Sequence, residues 1–259
     1  MAASAGQELK GRVAIVTGAS SGIGKATAVL FRRRGARVLA VARDRKRLDA
    51  LAKESGAEPF AVSLDSAEAC EQTVAAARKL GPVSILVNCA GRGGHEDKPI
   101  FDQSPAEWRA TMAVNLDAPF ELTRLAARDM RDQRWGRIVM VSSTAGEVGA
   151  PAMSAYCASK HGLIGLMRSV AHDVAPYNCT CNAVLPGWVK TEMADRDAEK
   201  EAARRGLTAA QVWQERADAY PAKRVLSAEE IAEVIAFLAS DAASGVNGEA
   251  MTVSLGSLW

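Results

Sequence analysis

The stretch Val13-Ala14-Ile15-Val16-Thr17-Gly18-Ala19-Ser20-Ser21-Gly22-Ile23-Gly24 decides the fold. Its first four residues are apolar without alternation and largely β-branched, the pattern of a strand buried on both faces. The glycines that follow let the backbone turn sharply and approach a ligand closely. From Ile23 to about Arg34 the apolar residues recur at helical spacing, at Ile23, Ala26, Val29 and Leu30. Gly35 is placed to close that helix as a C-terminal cap. A strand, a glycine turn and a helix in that order suit a dinucleotide phosphate, because the free N–H groups of the helix start face an anion. A tight turn with no ligand is the plainer reading of the same residues. A triphosphate loop of the form G-x-x-x-x-G-K-S/T is excluded, since Ala19 and Ala26 stand where it needs glycine and a hydroxyl.

Working outward, the unit repeats. Strands are expected over 38–41, 59–64, 85–87, 138–141, 179–185 and 250–253, and helices over 45–54, 67–80 and 154–175. Residues 104–134 read as one long helix or two, with Ser104 as N-cap and Pro105 in the first turn. Ser227 and Glu230 form a capping box for a further helix. Strand–helix alternation predicts parallel strands, right-handed crossovers and helices on both faces of one sheet. The expectation is a single doubly wound α/β domain over 1–259 with seven parallel strands. Residues 188–220 are charged and alanine-rich and break the rhythm, so they read as a helical substrate lid.

Composition narrows the function classes. Of 259 residues, 48% are hydrophobic and 24% charged, an ordinary globular balance. Lys plus Arg is 32 against 30 for Asp plus Glu, and a net charge of +2 argues against nucleic acid. The run Arg32-Arg33-Arg34, with Arg43, Lys46 and Arg47 nearby, reads as solvated helix surface. Five cysteines (Cys70, Cys89, Cys157, Cys179, Cys181) are odd in number and sit in a long chain, which fits reduced thiols and a cytoplasmic setting. No apolar stretch approaches the ~20 residues of a membrane span. Cys179 and Cys181 share one face of a strand and read as core. His95, His161 and His172 are scattered, so no metal site is expected.

Tyr156 and Lys160 form Y-x-x-x-K at the start of a helix, a spacing that puts both on one face. A phenol titrates near pH ~10 and needs tuning to move protons at neutrality, which a nearby ammonium does by stabilising the phenolate. Ser143 closes the strand over 138–141, on the edge where ligands bind in open α/β sheets. Its hydroxyl there can hold a carbonyl oxygen. Ser142 should point to the other face. Asn115 is a poor helix former in an apolar setting.

T-G-x-x-x-G-I-G at Thr17–Gly24, together with Ser143, Tyr156 and Lys160 at this spacing, resembles the short-chain dehydrogenase/reductase family over about residues 10–256. The resemblance implies a Rossmann-type fold, a nicotinamide cofactor and interconversion of a ketone with a secondary alcohol. It implies that Tyr156 transfers the proton and Ser143 orients the substrate oxygen. Lys160 would bind the nicotinamide ribose and tune Tyr156, and Asn115 would hold a water linking the lysine to solvent. It assigns the cofactor to Gly18, Ser20, Ser21, Gly22, Ile23 and Gly24 in the turn, to Asp65 at the adenine, and to Tyr156 and Lys160. Asn88-Cys89-Ala90-Gly91 resembles the family's N-N-A-G, with Cys89 in place of the second asparagine; Asn88, Ala90 and Gly91 are therefore cofactor residues. Asn182 to Thr191 resembles N-x-x-x-P-G-x-x-x-T, which adds Pro186, Gly187, Val189 and Thr191.

The strand over 38–41 ends at Ala42-Arg43, with no acidic residue for a free ribose 2′-hydroxyl. A guanidinium suits a 2′-phosphate, so NADP(H) is expected over NAD(H) with Arg43 as determinant. The chain is similar to 3-oxoacyl reductases, polyketide ketoreductases and 3-hydroxybutyrate dehydrogenases, and the Gly91-Arg92-Gly93-Gly94 loop is most similar to the ketoreductases. Met153 stands where hydroxybutyrate enzymes carry a lysine for the carboxylate. His172 replaces one carrier-protein-binding arginine of the fatty-acid reductases, while Arg134 matches the other. A neutral or 3-oxoacyl-type ketone is the expected substrate, walled by Val148, Met153, Trp188 and the lid. A small-alcohol dehydrogenase and a non-catalytic NADP(H) sensor are the alternatives. The family implies a homo-oligomer, tetramer or dimer, through the helices over 104–134 and 154–175 and the Leu258-Trp259 tail.

Overall fold

The computed structural model describes residues 6–93 and 98–256. The expectations on Gly94, His95 and the Leu258-Trp259 tail lie outside them. The chain runs β1 (Val13–Thr17), α1 (Gly22–Arg33), β2 (Arg37–Ala42), α2 (Arg45–Ser55), β3 (Glu58–Ala61), α3 (Ala67–Arg78) and β4 (Val83–Asn88). It continues through α4 (Pro105–Met112), α5 (Ala118–Gln133), β5 (Gly136–Val141), α6 (Ser154–Val174) and β6 (Cys179–Pro186). Then come α7 (Glu192–Arg205), α8 (Ala209–Asp218), α9 (Ala228–Leu238) and β7 (Ala250–Val253). All seven strands are parallel, in the order β3-β2-β1-β4-β5-β6-β7.

Strand residues alternate between two cores, as a period of two requires. Ala14 and Val16 of β1 pack with Phe31, Leu48 and Ile235 on one side. Ile15 packs with Val74, Leu122 and Met167 on the other. β1, β4, β5 and β6 are buried along their whole length. That explains their unbroken apolar runs. Cys179 and Cys181 fall in the second core together, as expected of strand alternation.

The helix ends follow their local signals. Gly35, at φ 88°, reverses the chain after α1, and Ala36 donates back to the Phe31 carbonyl at 3.0 Å. Ser104 caps α4, and Ser227 with Glu230 forms the capping box on α9. One expectation is corrected and one open choice is decided. β3 stops at Ala61 rather than 64; Val62 still donates to Ala42, but the ladder ends as the chain turns toward α3. The region over 104–134 is α4 and α5 joined without a break by a π turn at Ala113–Asp117. The break in strand order between β1 and β4 opens the crevice where open α/β sheets bind ligands. α7 and α8 pack on each other through Ala198, Ala202 and Val212 at this carboxyl edge. Among the described residues no helix is long and apolar enough to cross a membrane.

Candidate active site

β1 delivers Thr17 to the crevice. Its hydroxyl oxygen accepts from the Cys89 and Ala90 N–H groups, both at 2.9 Å, and so ties the end of β1 to the turn after β4. This threonine was legible only as part of the glycine motif; its bonding role had no sequence signal. The glycines are required sterically. Gly18 (φ 69°) has its missing Cβ 3.0 Å from Ala90 Cα, and Gly22 (φ 51°) lies 3.1 Å from the Thr191 methyl. A Cβ on Gly24 would come within 2.3 Å of the Gly18 carbonyl. Ser21 is the N-cap of α1, yet its side chain caps no N–H and the first turn carries no acid. Ser20 and Ser21 are half-buried beside these donors, and Ile23 packs into the core beneath. The turn is a cradle of unsatisfied N–H groups that fits a phosphate.

Arg43 follows Ala42 at the end of β2 and is exposed. Its neighbours are engaged, Arg45 with Asp49 and Arg47 with Asp44 and Glu192. Arg43 makes no such pair among the described residues. Asp65 is exposed and accepts from the Ser63 hydroxyl at 2.8 Å. Asn88 is turned inward: its amide donates to Thr123 and Met140, and its carbonyl oxygen is buried without a partner. Pro186 is the last residue of β6, and Gly187 donates to Val253. Val189 bridges to Leu226. Thr191 uses its hydroxyl oxygen to cap α7 through Ala194 N–H.

Four polar side chains gather between β4, β5 and α6. Ser142 and Ser143 diverge as expected: Ser142 donates to the Lys160 carbonyl at 3.0 Å, whereas Ser143 faces the Tyr156 hydroxyl. Lys160 is 5% exposed and its ammonium donates to the Val141 carbonyl at 2.8 Å. Burial pushes its pKa down to about 8. Asn115 sits in the π turn, a distortion common at functional sites. Its oxygen accepts from Arg92 N–H at 2.8 Å, and its amide donates to the Arg92 carbonyl and to Ser159, both at 3.0 Å. Ser159 in turn donates to the Tyr156 carbonyl at 2.7 Å. Ser159 was not expected; it ties Asn115 to the helix that carries tyrosine and lysine. A Cβ on Gly91 would lie 3.6 Å from the Asn115 oxygen and 3.7 Å from the Lys160 ammonium, so the Gly91 backbone borders the group.

Tyr156 titrates above its ordinary value, first because its hydroxyl is desolvated; the Ser143 hydroxyl acts the other way, and Asp197 adds to the rise. The Lys160 ammonium is bonded to Val141 and lies 5.6 Å from the Tyr156 ring centroid. The Cys89 thiol is pushed up to about 12 by burial, so it stays protonated and inert.

Val148 and Met153 are half-buried, Met153 at the N-cap of α6. Trp188 is 40% exposed where the chain leaves β6 for the lid. Sequence reasoning missed what holds it. The Arg216 guanidinium lies 3.6 Å from the Trp188 ring centroid, and Trp213 meets the same ring edge-on at 6.4 Å. Trp188 N–H donates to the Tyr220 hydroxyl, which occupies the space a Cβ on Gly187 would need. A stack on a guanidinium this desolvated is worth about 2 kcal/mol. His161 and His172 join no metal-binding cluster among the described residues.

The family model described as short chain dehydrogenase matches residues 12–202. This chain belongs to the short-chain dehydrogenase/reductase family. Family membership makes it an oxidoreductase of the type that uses a nicotinamide cofactor, and the glycine cradle fits that group. The 3-oxoacyl-(acyl-carrier-protein) reductase of Thermotoga maritima is 35% identical over 254 residues, covering 96% of this chain and 98% of that protein. A single-substitution variant of the actinorhodin polyketide ketoreductase with NADPH superposes at TM-score 0.90 and 32% identity, covering 95% of this chain and 96% of that one. A chain named ribose-5-phosphate isomerase from Brucella melitensis superposes at TM-score 0.89 and 30% identity, with 98% and 95% covered. Proteins of different names therefore share the sheet, and the side chains must choose the reaction.

Proposed function

We propose that the protein is an NADP(H)-dependent ketoreductase that interconverts a neutral or 3-oxoacyl-type ketone and its secondary alcohol. One observation carries this reading: Ser143, Tyr156 and Lys160, with Asn115 behind them, converge at the carboxyl edge beside the glycine cradle. When bound, the nicotinamide supplies or takes up the hydride. In the reducing direction the Ser143 hydroxyl donates to the ketone oxygen and polarises it. Tyr156 delivers its proton to that oxygen. Desolvation raises its pKa, and the Ser143 hydroxyl beside it lowers it. Lys160 would hold the nicotinamide ribose, and Asn115 fixes the Arg92 backbone through two hydrogen bonds, with Gly91 bordering the lysine.

Arg43, exposed at the end of β2 and in no ion pair among the described residues, would hold the 2′-phosphate that distinguishes NADP(H). The half-buried Met153 and Val148 offer a substrate carboxylate no cation, which favours a neutral ketone. His172 and Arg134 are the two positions compared with carrier-protein-binding arginines; Arg134 donates to the Pro176 carbonyl, so a single arginine would serve a carrier protein. Exposed Trp108 on α4 and Phe120 on α5 fit the expected subunit interface of a homo-oligomer. The test is NADPH oxidation over a panel of acetoacetyl thioesters, bicyclic and aromatic ketones, and acetoacetate. Turnover of thioesters or bulky ketones supports the reading. Turnover of acetoacetate alone contradicts it, and tight NADPH binding with no turnover points to a sensor.

A further inference from the structure

Arg216 is 8% exposed, although it lies in a lid helix rich in charged side chains. Its guanidinium is fixed from three sides. One nitrogen donates to the Ala194 carbonyl at 3.3 Å, and another to Glu201 at 2.9 Å. The planar group covers Trp188 at 3.6 Å and Trp213 at 5.0 Å. Trp213 is itself held: its indole N–H donates to Asp195 at 2.9 Å, and the Lys190 ammonium lies 4.1 Å from its ring.

The result is that Trp188 has one face covered by a cation, Trp213 near-perpendicular beside it and its backbone N–H on Tyr220. It is nonetheless 40% exposed. An indole held this firmly and still open is preorganised: a ring laid against it costs little further ordering. Trp188 leaves the carboxyl end of β6, on the sheet edge that also carries Ser143. β6, from which it leaves, is hydrogen-bonded to β5, from which Ser143 leaves. α7, which supplies Ala194 and Glu201 to Arg216, also carries Asp197, whose charge raises the Tyr156 pKa.

We propose that Arg216 is a positioning residue that fixes Trp188 as an aromatic wall of the cleft, and that this wall selects ketones fused to a flat ring over acyclic ones. The proposal rests on the ketone-reducing reading above. Offset stacking on a fixed indole rewards a planar partner and gives little to a flexible acyl chain, whose own ordering opposes it.

The test is calorimetric titration of the intact protein, saturated with NADP⁺, using 1-tetralone and an acetoacetyl thioester as probes. The wild-type protein is expected to bind tetralone more tightly than the thioester. Arg216→Met and Trp188→Leu should each weaken tetralone by about tenfold or more and move the thioester by less than about twofold. Arg216→Lys, which keeps the charge but not the planar stack, should fall between. The ratio of the two dissociation constants does not depend on the fraction of protein folded, so a merely structural role for Arg216 would leave it unchanged. Equal weakening of both probes, no weakening of either, or a wild-type preference for the thioester would each overturn the proposal. Turnover is read separately. If NADPH is not consumed with either ketone while the tetralone preference and its loss in Arg216→Met persist, the reductase reading fails and the role of Arg216 stands.

Discussion

Lys160 is buried and its ammonium donates to the Val141 carbonyl, and its pKa falls from the ordinary 10.5 to about 8. The direction has a kinetic consequence. Below about 8 the group is an ammonium, the form proposed to hold ribose; above it the group is neutral. The kcat/KM for NADPH, which reports the free enzyme, should be flat through neutrality and fall about tenfold per pH unit beyond that point. A profile still flat at about pH 9.5 would contradict the assignment of this lysine. Arg43 carries a second prediction. Arg43→Asp should raise the KM for NADPH about 10- to 100-fold, the loss of charge-assisted hydrogen bonds, and narrow the gap to NADH. An unchanged KM would mean that Arg43 is only surface. Arg43 was singled out by its place just past the end of β2 and Lys160 by its four-residue spacing from Tyr156. Arg216 was not. Its partners Trp188, Ala194 and Glu201 come from other segments, and an arginine in a charged helix carries no mark of burial.

α1 shows at the level of an element why the glycine turn is what it is. Its N-terminal N–H groups are left without a side-chain cap, and Gly24 lets the helix come down on the Gly18 carbonyl. Gly24→Ala puts a methyl 2.3 Å from that oxygen, against backbone that has nowhere to go. The variant should lose about 1–3 kcal/mol of stability by urea unfolding and bind NADPH weakly, because the helix must back away from the phosphate position. Normal stability with normal NADPH binding would contradict the close packing of α1 on the turn. Strands buried on both faces read clearly from sequence, as at Val13–Val16. The π turn did not, since one extra residue per turn at Asn115 barely alters the apolar period of the helices around it. β3 was overextended because Val62 and Leu64 are apolar and partly or fully buried, although neither belongs to the ladder.

Across the whole molecule, strand–helix alternation led to a parallel, doubly wound sheet, and the sheet has that form. The crevice between β1 and β4 holds the glycine cradle, and the β5–α6 passage holds the serine, tyrosine and lysine beside it. The lid was legible as an interruption of the rhythm. Its internal stack was not, because it arises from contacts across two helices and a loop. The account therefore stands or falls on whether these parts work together as a proton and hydride device. The most direct measurement is the initial rate of ketone-dependent NADPH oxidation by the wild-type protein and by Tyr156→Phe, with NADPH affinity measured on both. The account predicts a wild-type rate that drops about 10²- to 10⁴-fold in the variant while NADPH binds equally well. A variant that turns over ketone as fast as the wild type would contradict it.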